Sequence, residues 1–325
     1  MRTHRDRSSE SANAFLSSLM AFQTNWQLPR KQIFVWRGVG DAMKHSLVPT
    51  ALRPENAERL LKLADLHENS IYCGLNENLK QVYLEFRIVE RFLAIADRAG
   101  LAVPELPVFF REAFNEFGNA ERNDQFQEVV QNWPPQELVP IIALAQHYGL
   151  PTRLLDWSYD VLTAAYFAAE SALALMRDDP SKDPSKHTLG VWMMNPYDVK
   201  EAVLLEEDTN KDLLRVEVSS PPKYQNPNLM AQAGLFTWVS GKWAQQKLVV
   251  SRPLDELANP IIKDRSPTNR KVGTFILYEL PWTEADELLS KLFNLGVSKA
   301  KLEPGFGGVA RTMEQLAYLE WKPTS

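Results

Sequence analysis

Apolar positions recur along the chain with helical or strand spacing in well-separated blocks. Residues 9–27 carry Ala14, Leu16, Leu19, Met20, Phe22 and Trp26 in a helical rhythm, predicting an N-terminal helix that lies on the body. Residues 32–36 (Gln-Ile-Phe-Val-Trp) form a short β-prone run closed by Arg37-Gly38. From 75 to 99, Leu79, Val82, Phe86, Val89, Leu93 and Ala96 are spaced three and four apart, predicting one long helix with a single apolar stripe. Glu85 lies off that stripe and can face solvent or a site. Phe109, Phe110, Ala113, Phe114 and Phe117 suggest a further helix over 107–117 with a core-facing aromatic side. Strands are expected at 189–194, 213–218 and 273–280, and a helix through Leu288, Leu289, Leu292 and Phe293 ending at Gly296. Helices in the first half and strands in the second predict an α+β fold, with residues 1–28 as a helical extension and 29–325 as one mixed domain.

The densest stretch chemically is Gln146–Trp157. Gly149 can adopt the positive φ that ends a helix and Pro151 cannot continue one, so the helix beginning near Gln136 stops at His147 or Tyr148. Thr152, Ser158 and Asp160 can each cap the next helix, and Ala164–Ala169 is apolar nearly all round, as in a helix buried on several sides. Polar groups between two buried helix ends are either satisfied in the core or form a site. Arg153 and Asp156, three apart, can simply pair and lock the turn. Arg37, at a strand end beside a glycine, is either a surface arginine or a rigid donor fork where another backbone or a phosphate approaches closely.

Composition narrows the function classes. The 325 residues are 45% hydrophobic and 24% charged, with a formal net charge of −5 and pI near 5.7. Basic and acidic residues are interleaved, which disfavours extended duplex nucleic acid as partner and leaves room for a local basic groove. One cysteine, Cys73, excludes an intramolecular disulfide framework and fits a reducing compartment. Five histidines, at 4, 45, 67, 147 and 187, give no metal-ligand spacing. The basic start is followed by polar residues, and no apolar run reaches about 20 residues, so a cytoplasmic chain without a membrane span is expected. The loop 178–186 is expected to be solvated.

Trp36-Arg37-Gly38, Leu47–Arg53 around Pro49, Gln146–Trp157, Tyr166-Phe167-Ala168 and Gln232–Thr237 together resemble the FRG family, named for a Phe-Arg-Gly motif in which tryptophan here replaces phenylalanine. Leu302–Gly308 resembles the family's final motif without its acidic residue between proline and glycine. The resemblance implies kinship with bacterial and prophage proteins of defence or toxin-like loci. The layout is also similar to ADP-ribosyltransferases, including RES-type toxins that degrade NAD. By that analogy the substrate is NAD or a related nucleotide, with the acceptor unnamed. Arg37 and Arg153 would fork onto phosphates, Asp156 or Glu85 would steady positive charge, and His147 would orient a ribose hydroxyl or act as a base. Trp36, Gly38, Arg53, Tyr148, Thr152, Trp157, Gln232 and Thr237 would line the ligand, with Glu279 and Glu284 as candidates for a late glutamate. The rival reading is a binding module for a nucleotide or a nucleic-acid phosphate that breaks no bond.

Overall fold

The structure, a computed structural model, describes residues 5–22, 33–44, 47–66, 75–107, 110, 133–199, 215–220, 232, 234–241, 252–263 and 275–320. Cys73 and most of the expected 107–117 helix lie outside them.

Seven strands form one sheet: β1 (Arg5–Ser8), β2 (Val35–Val39), β3 (Leu155–Ser158), β4 (Thr188–Met194), β5 (Arg215–Ser219), β6 (Gly234–Ser240) and β7 (Phe275–Pro281), in the order β1-β7-β4-β2-β3-β6-β5. β1 runs parallel to β7, and every other pairing is antiparallel. The described helices are α1 (Ala12–Met20), α2 (Ala57–Ala64), α3 (Glu77–Arg98), α4 (Val139–His147), α5 (Val161–Asp178), α6 (Leu254–Lys263), α7 (Ala285–Asn294), α8 (Lys299–Leu302) and α9 (Phe306–Glu320). The fold is α+β, but its halves are not segregated as the sequence suggests. β2 and β3, from the first half, sit at the centre of the sheet, and most of the described helices begin after residue 160. A strand of four or five residues carries too few alternations to announce itself, which is why β1 and β3 escape a periodicity reading.

Strand alternation sends side chains to two cores. On one face Trp36, Val191, Met193, Ile276 and Tyr278 pack against α1, α5 and α7. On the other, Val35, Val39, Trp192, Met194 and Leu277 pack with Leu254 and Ala258 of α6. A third cluster joins α3 and α4 to Leu154, Phe236 and Trp238. Residues 5–22 are built into the body: β1 pairs with β7, and Ala12, Phe15 and Leu19 of α1 have no exposed surface. The backbone N–H of Ala12 donates to the Glu284 carboxylate at 3.0 Å, and the Glu279 carboxylate accepts from Thr188 Oγ1 at 3.0 Å. Both glutamates therefore serve the β4–β7–α1 region.

The Ala-rich helix explains the glycine of Trp36-Arg37-Gly38. Ala164, Ala165, Ala168, Ala169 and Ala172 are all buried, and their small side chains let α5 lie close on β2. A Cβ on Gly38 would stand 2.0 Å from the Ala164 carbonyl oxygen and 2.7 Å from the Ala168 nitrogen. The close approach expected there is thus to a helix backbone, not to a ligand. Because the obstructing atoms are backbone, substituting Gly38→Ala forces the helix off the sheet. The expected loss is at or beyond the upper end of the about 1–3 kcal/mol typical of overpacking, measured by urea unfolding against the parent chain.

Candidate functional site

The chain between α4 and α5 is shaped by its punctuation. Gly149 has φ +83° and closes α4, its N–H donating to the Gln146 carbonyl at 2.9 Å while Leu150 N–H reaches the Ala145 carbonyl at 3.1 Å. Arg59 of α2 donates to the Gly149 carbonyl at 2.7 Å and pins the tip. At the far end Asp160 caps α5, accepting from Leu162 N–H at 3.0 Å and Thr163 Oγ1 at 2.9 Å. Between these ends run Thr152, Arg153 and β3.

Arg37 reaches this stretch across the sheet. β2 and β3 are joined through Trp36 and Ser158 alone, and beyond that point the Arg37 guanidinium spans the gap. Its Nη1 donates to the Asp156 carbonyl at 2.8 Å and to Asp156 Oδ1 at 2.5 Å. Gln146 Nε2 donates to the same Oδ1 at 3.0 Å, and Thr152 Oγ1 donates to Gln146 Oε1. Crowding by protein opposes the charge on Asp156, yet the Arg37 charge and hydrogen bond outweigh it, with Arg53 adding to the effect, and the carboxyl titrates below its ordinary value. The side chain nevertheless keeps 54% of its surface open to solvent. With that much of the carboxylate exposed, water screens the pair.

Arg53 completes the cluster. Its Nε donates to the Val48 carbonyl at 3.0 Å. Desolvation and then the Arg37 charge lower its pKa, while Glu55 and Asp156 raise it. Two guanidinium groups thus stand close enough to repel each other, with one carboxylate between them in the electrostatic sense. The Arg53 loop is tied to the β3 approach by Thr50 and Thr152: Ala51 N–H donates to the Thr152 carbonyl at 3.0 Å, and Thr152 N–H to Thr50 Oγ1 at 3.2 Å.

Residues 32–176 match the family model of the FRG domain. The chain carries an FRG domain. No curated protein and no solved structure matches it. The matched FRG segment spans β2, the Arg53 loop, α3, α4, β3 and most of α5, and so contains the whole cluster.

Several expected site residues of the FRG segment and beyond lie elsewhere. Arg153 neither pairs with Asp156 nor faces a ligand: it is 2% exposed and forks onto Glu85 at 2.6 and 2.9 Å. Trp133 and Gln81 also donate to Glu85, each at 2.8 Å, so Glu85 is no stabiliser of a substrate charge. Trp36 and Trp157 are both 2% exposed; the first packs in the α5 core, and the second donates its indole N–H to buried Thr237 at 2.8 Å, leaving neither ring to stack on a ligand. Gln232 links elements instead of lining a pocket, its carbonyl accepting from Ser158 Oγ at 2.8 Å and its amide donating to the Leu302 carbonyl at 3.2 Å. His147 packs edge-on against Tyr148 at 5.2 Å. Desolvation by burial lowers the His147 pKa, with Glu303 opposing and Lys299 and Arg311 assisting. Tyr148 is 69% exposed at the turn. The sequence points to Arg37, Arg53, Thr152 and Asp156, but not to Gln146 as their connector. Its place three residues before a helix-ending glycine, at the C-terminal end facing Asp156, is the one signal available.

Among the described residues no three or more His, Cys, Asp or Glu side chains are grouped to hold a metal ion, and no helix is long and apolar enough to cross a membrane.

This geometry has two measurable consequences. Glu85→Ala leaves Arg153 buried without its counter-charge and lowers stability by about 3–5 kcal/mol in urea unfolding, whereas Glu85→Leu with Arg153→Met recovers much of that loss. A folded-state carboxyl held below its unfolded value of about 3.9 contributes stability that is full above that pH and disappears as pH falls through the lowered value. Stability-versus-pH curves of the parent and Asp156→Asn should therefore differ by a constant amount from about pH 5 to 8 and converge below about pH 4.

Proposed function

We propose that this FRG-domain protein is an effector of bacterial or phage-related defence or toxin type that acts on NAD in the cytoplasm, by ADP-ribosyl transfer or NAD hydrolysis. The sheet and its arginine-bearing central strand would then serve as an ADP-ribosyltransferase-like core. The observation that carries the reading is the Arg37 guanidinium bonded to a solvent-reachable carboxylate, with Arg53 as an electrostatic neighbour of both. Adjacent guanidinium groups repel, and a pyrophosphate relieves that repulsion while accepting their hydrogen bonds.

In hydrolysis the bond from ribose C1 to the nicotinamide nitrogen breaks, its electron pair leaving with nicotinamide. A water oxygen bonds to C1, and the water's proton passes to solvent, giving nicotinamide and ADP-ribose. The transition state has oxocarbenium character, as in glycoside hydrolysis, and Asp156 supplies the negative charge that stabilises it. A carboxyl held below its ordinary pKa remains a carboxylate at neutral pH, so Asp156 acts as an electrostatic partner or acceptor, not as a general acid. Exposed Tyr148 offers a face for the nicotinamide ring.

A binding module for a nucleotide or nucleic-acid phosphate is the second reading, favoured by the positions of Glu279 and Glu284. Both are engaged away from the cluster.

Purified protein incubated with NAD should release nicotinamide, quantified by liquid chromatography with mass spectrometry. Arg37→Ala should lower turnover by about 10²-fold or more, and Arg37→Lys should fall between, because an ammonium cannot reproduce the guanidinium fork. Unchanged turnover in Arg37→Ala removes the proposal, and calorimetric binding of NAD without any product establishes the second reading.

A further inference from the structure

The two oxygens of Asp156 are not equivalent. Oδ1 accepts from Arg37 at 2.5 Å and from Gln146 at 3.0 Å. Among the described residues, no other residue donates to Oδ2. Gln146 is itself fixed, because its Oε1 accepts from Thr152 Oγ1, and that hydroxyl accepts from Leu154 N–H at 3.2 Å. Thr152 is held in turn by Thr50 at 3.2 Å. The chain of bonds leaves the amide of Gln146 one orientation, with its oxygen toward the threonine and its nitrogen toward the carboxylate. Asp156 is thereby set with both side-chain donors on Oδ1, while the side chain keeps 54% of its surface open to solvent.

Arg53 offers the opposite chemistry. Its Nε is spent on the Val48 carbonyl, and its two terminal nitrogens have no partner among the described residues. Arg37 uses Nη1 on Asp156 and has its remaining donors similarly uncommitted among the described residues. Arg37 and Asp156 are both electrostatic neighbours of Arg53. Arg37 therefore joins a fixed acceptor of hydroxyl protons to donors suited to a phosphate, with Arg53 as its electrostatic neighbour.

We infer that the site recognises a phosphorylated ribose, with sugar hydroxyls donating to Asp156 Oδ2 and the phosphate accepting from Arg53 and the uncommitted nitrogens of Arg37. This rests on the reading of the Arg37–Asp156 cluster as a nucleotide site, and adds the part of the nucleotide that is read and the residue that sets the reading. Gln146 is a positioning residue. It touches no ligand, and its role is to keep Oδ1 occupied so that Oδ2 faces the sugar. A bare phosphate uses the arginines alone, and an unphosphorylated nucleoside uses Asp156 alone.

Calorimetric titrations with ribose 5-phosphate, inorganic phosphate and adenosine test this. Ribose 5-phosphate should bind the parent chain at least tenfold more tightly than either of the others. Asp156→Asn should weaken ribose 5-phosphate by about 10–100-fold, the value of a hydrogen bond to a charged group, and leave phosphate within about twofold. Arg53→Ala should weaken both phosphorylated ligands. Gln146→Ala should reduce the ratio of ribose 5-phosphate to phosphate affinity by about threefold to tenfold, a readout that a merely structural role would leave alone, and it carries the test if Asp156→Asn does not fold. Equal affinities for ribose 5-phosphate and phosphate, equal losses for both in Asp156→Asn, or no binding of ribose 5-phosphate by the parent chain would overturn the inference. NAD turnover without sugar selectivity sinks this inference and spares the NAD-acting reading. Sugar selectivity without turnover does the reverse.

Discussion

The contact of α5 with β2 at Gly38 sets the distance on which the rest of the site depends. With no Cβ on the strand and a run of alanines on the helix, two backbones come to near contact over the middle of the sheet. That packing holds β2 rigidly from below. Trp36, two residues earlier, fills the core on the helix side, while alternation turns Arg37 toward the opposite side with Val35 and Val39. The three motif residues thus divide the labour among core filling, an ion-paired charge and close packing. A long arginine on a rigid central strand loses less freedom when it forms a bridge than it would on a loop, which suits a group that must keep a fixed geometry.

A second anchor is buried. The buried Arg153–Glu85 pair, with Trp133 and Gln81 completing the bonds of the carboxylate, ties the β3 approach to α3. Gln81 also donates to the Ala51 carbonyl at 2.8 Å, so the same network reaches the loop that carries Arg53. From there Thr50, Thr152 and Gln146 lead to Asp156. The site is one end of a continuous polar chain whose other end is an ion pair shut away from water. A buried pair of this kind is a poor source of net stability but a strong constraint on geometry, since either partner left alone is costly. Arg153 is therefore linked to Asp156 through bonds, not through a direct contact.

The α8–α9 segment shows why the second half of the chain matters to a site built from the first. His147, next to Gln146 in the chain, has its protonation governed by burial together with Glu303, Lys299 and Arg311. Lys299 is itself buried and bonded to Glu170 at 2.8 Å and Glu303 at 3.0 Å. The turn after α4 thus feels the charges of the last helices as well as the Asp156 network.

Sequence alone determined the elements with long periodic signals: α3 over Glu77–Arg98, α5 over Val161–Asp178, and strands β4 and β7. It also marked the Gln146–Trp157 turn, because a helix-ending glycine followed by proline is local chemistry that needs no distant partner. Two of its signs are right in kind but do not give the partner. Gly38 does require a close neighbour, and Arg153 does take a carboxylate, but not Asp156, the one its spacing suggests. Only the tertiary structure decided that the neighbour is the backbone of α5 and that Glu85, 68 residues away, takes Arg153, leaving Asp156 to Arg37, 119 residues away. The physical reason is that an arginine pairs with whichever carboxylate the packing of strands and helices delivers to its fork, and that delivery is fixed by burial and sheet order rather than by nearness along the chain.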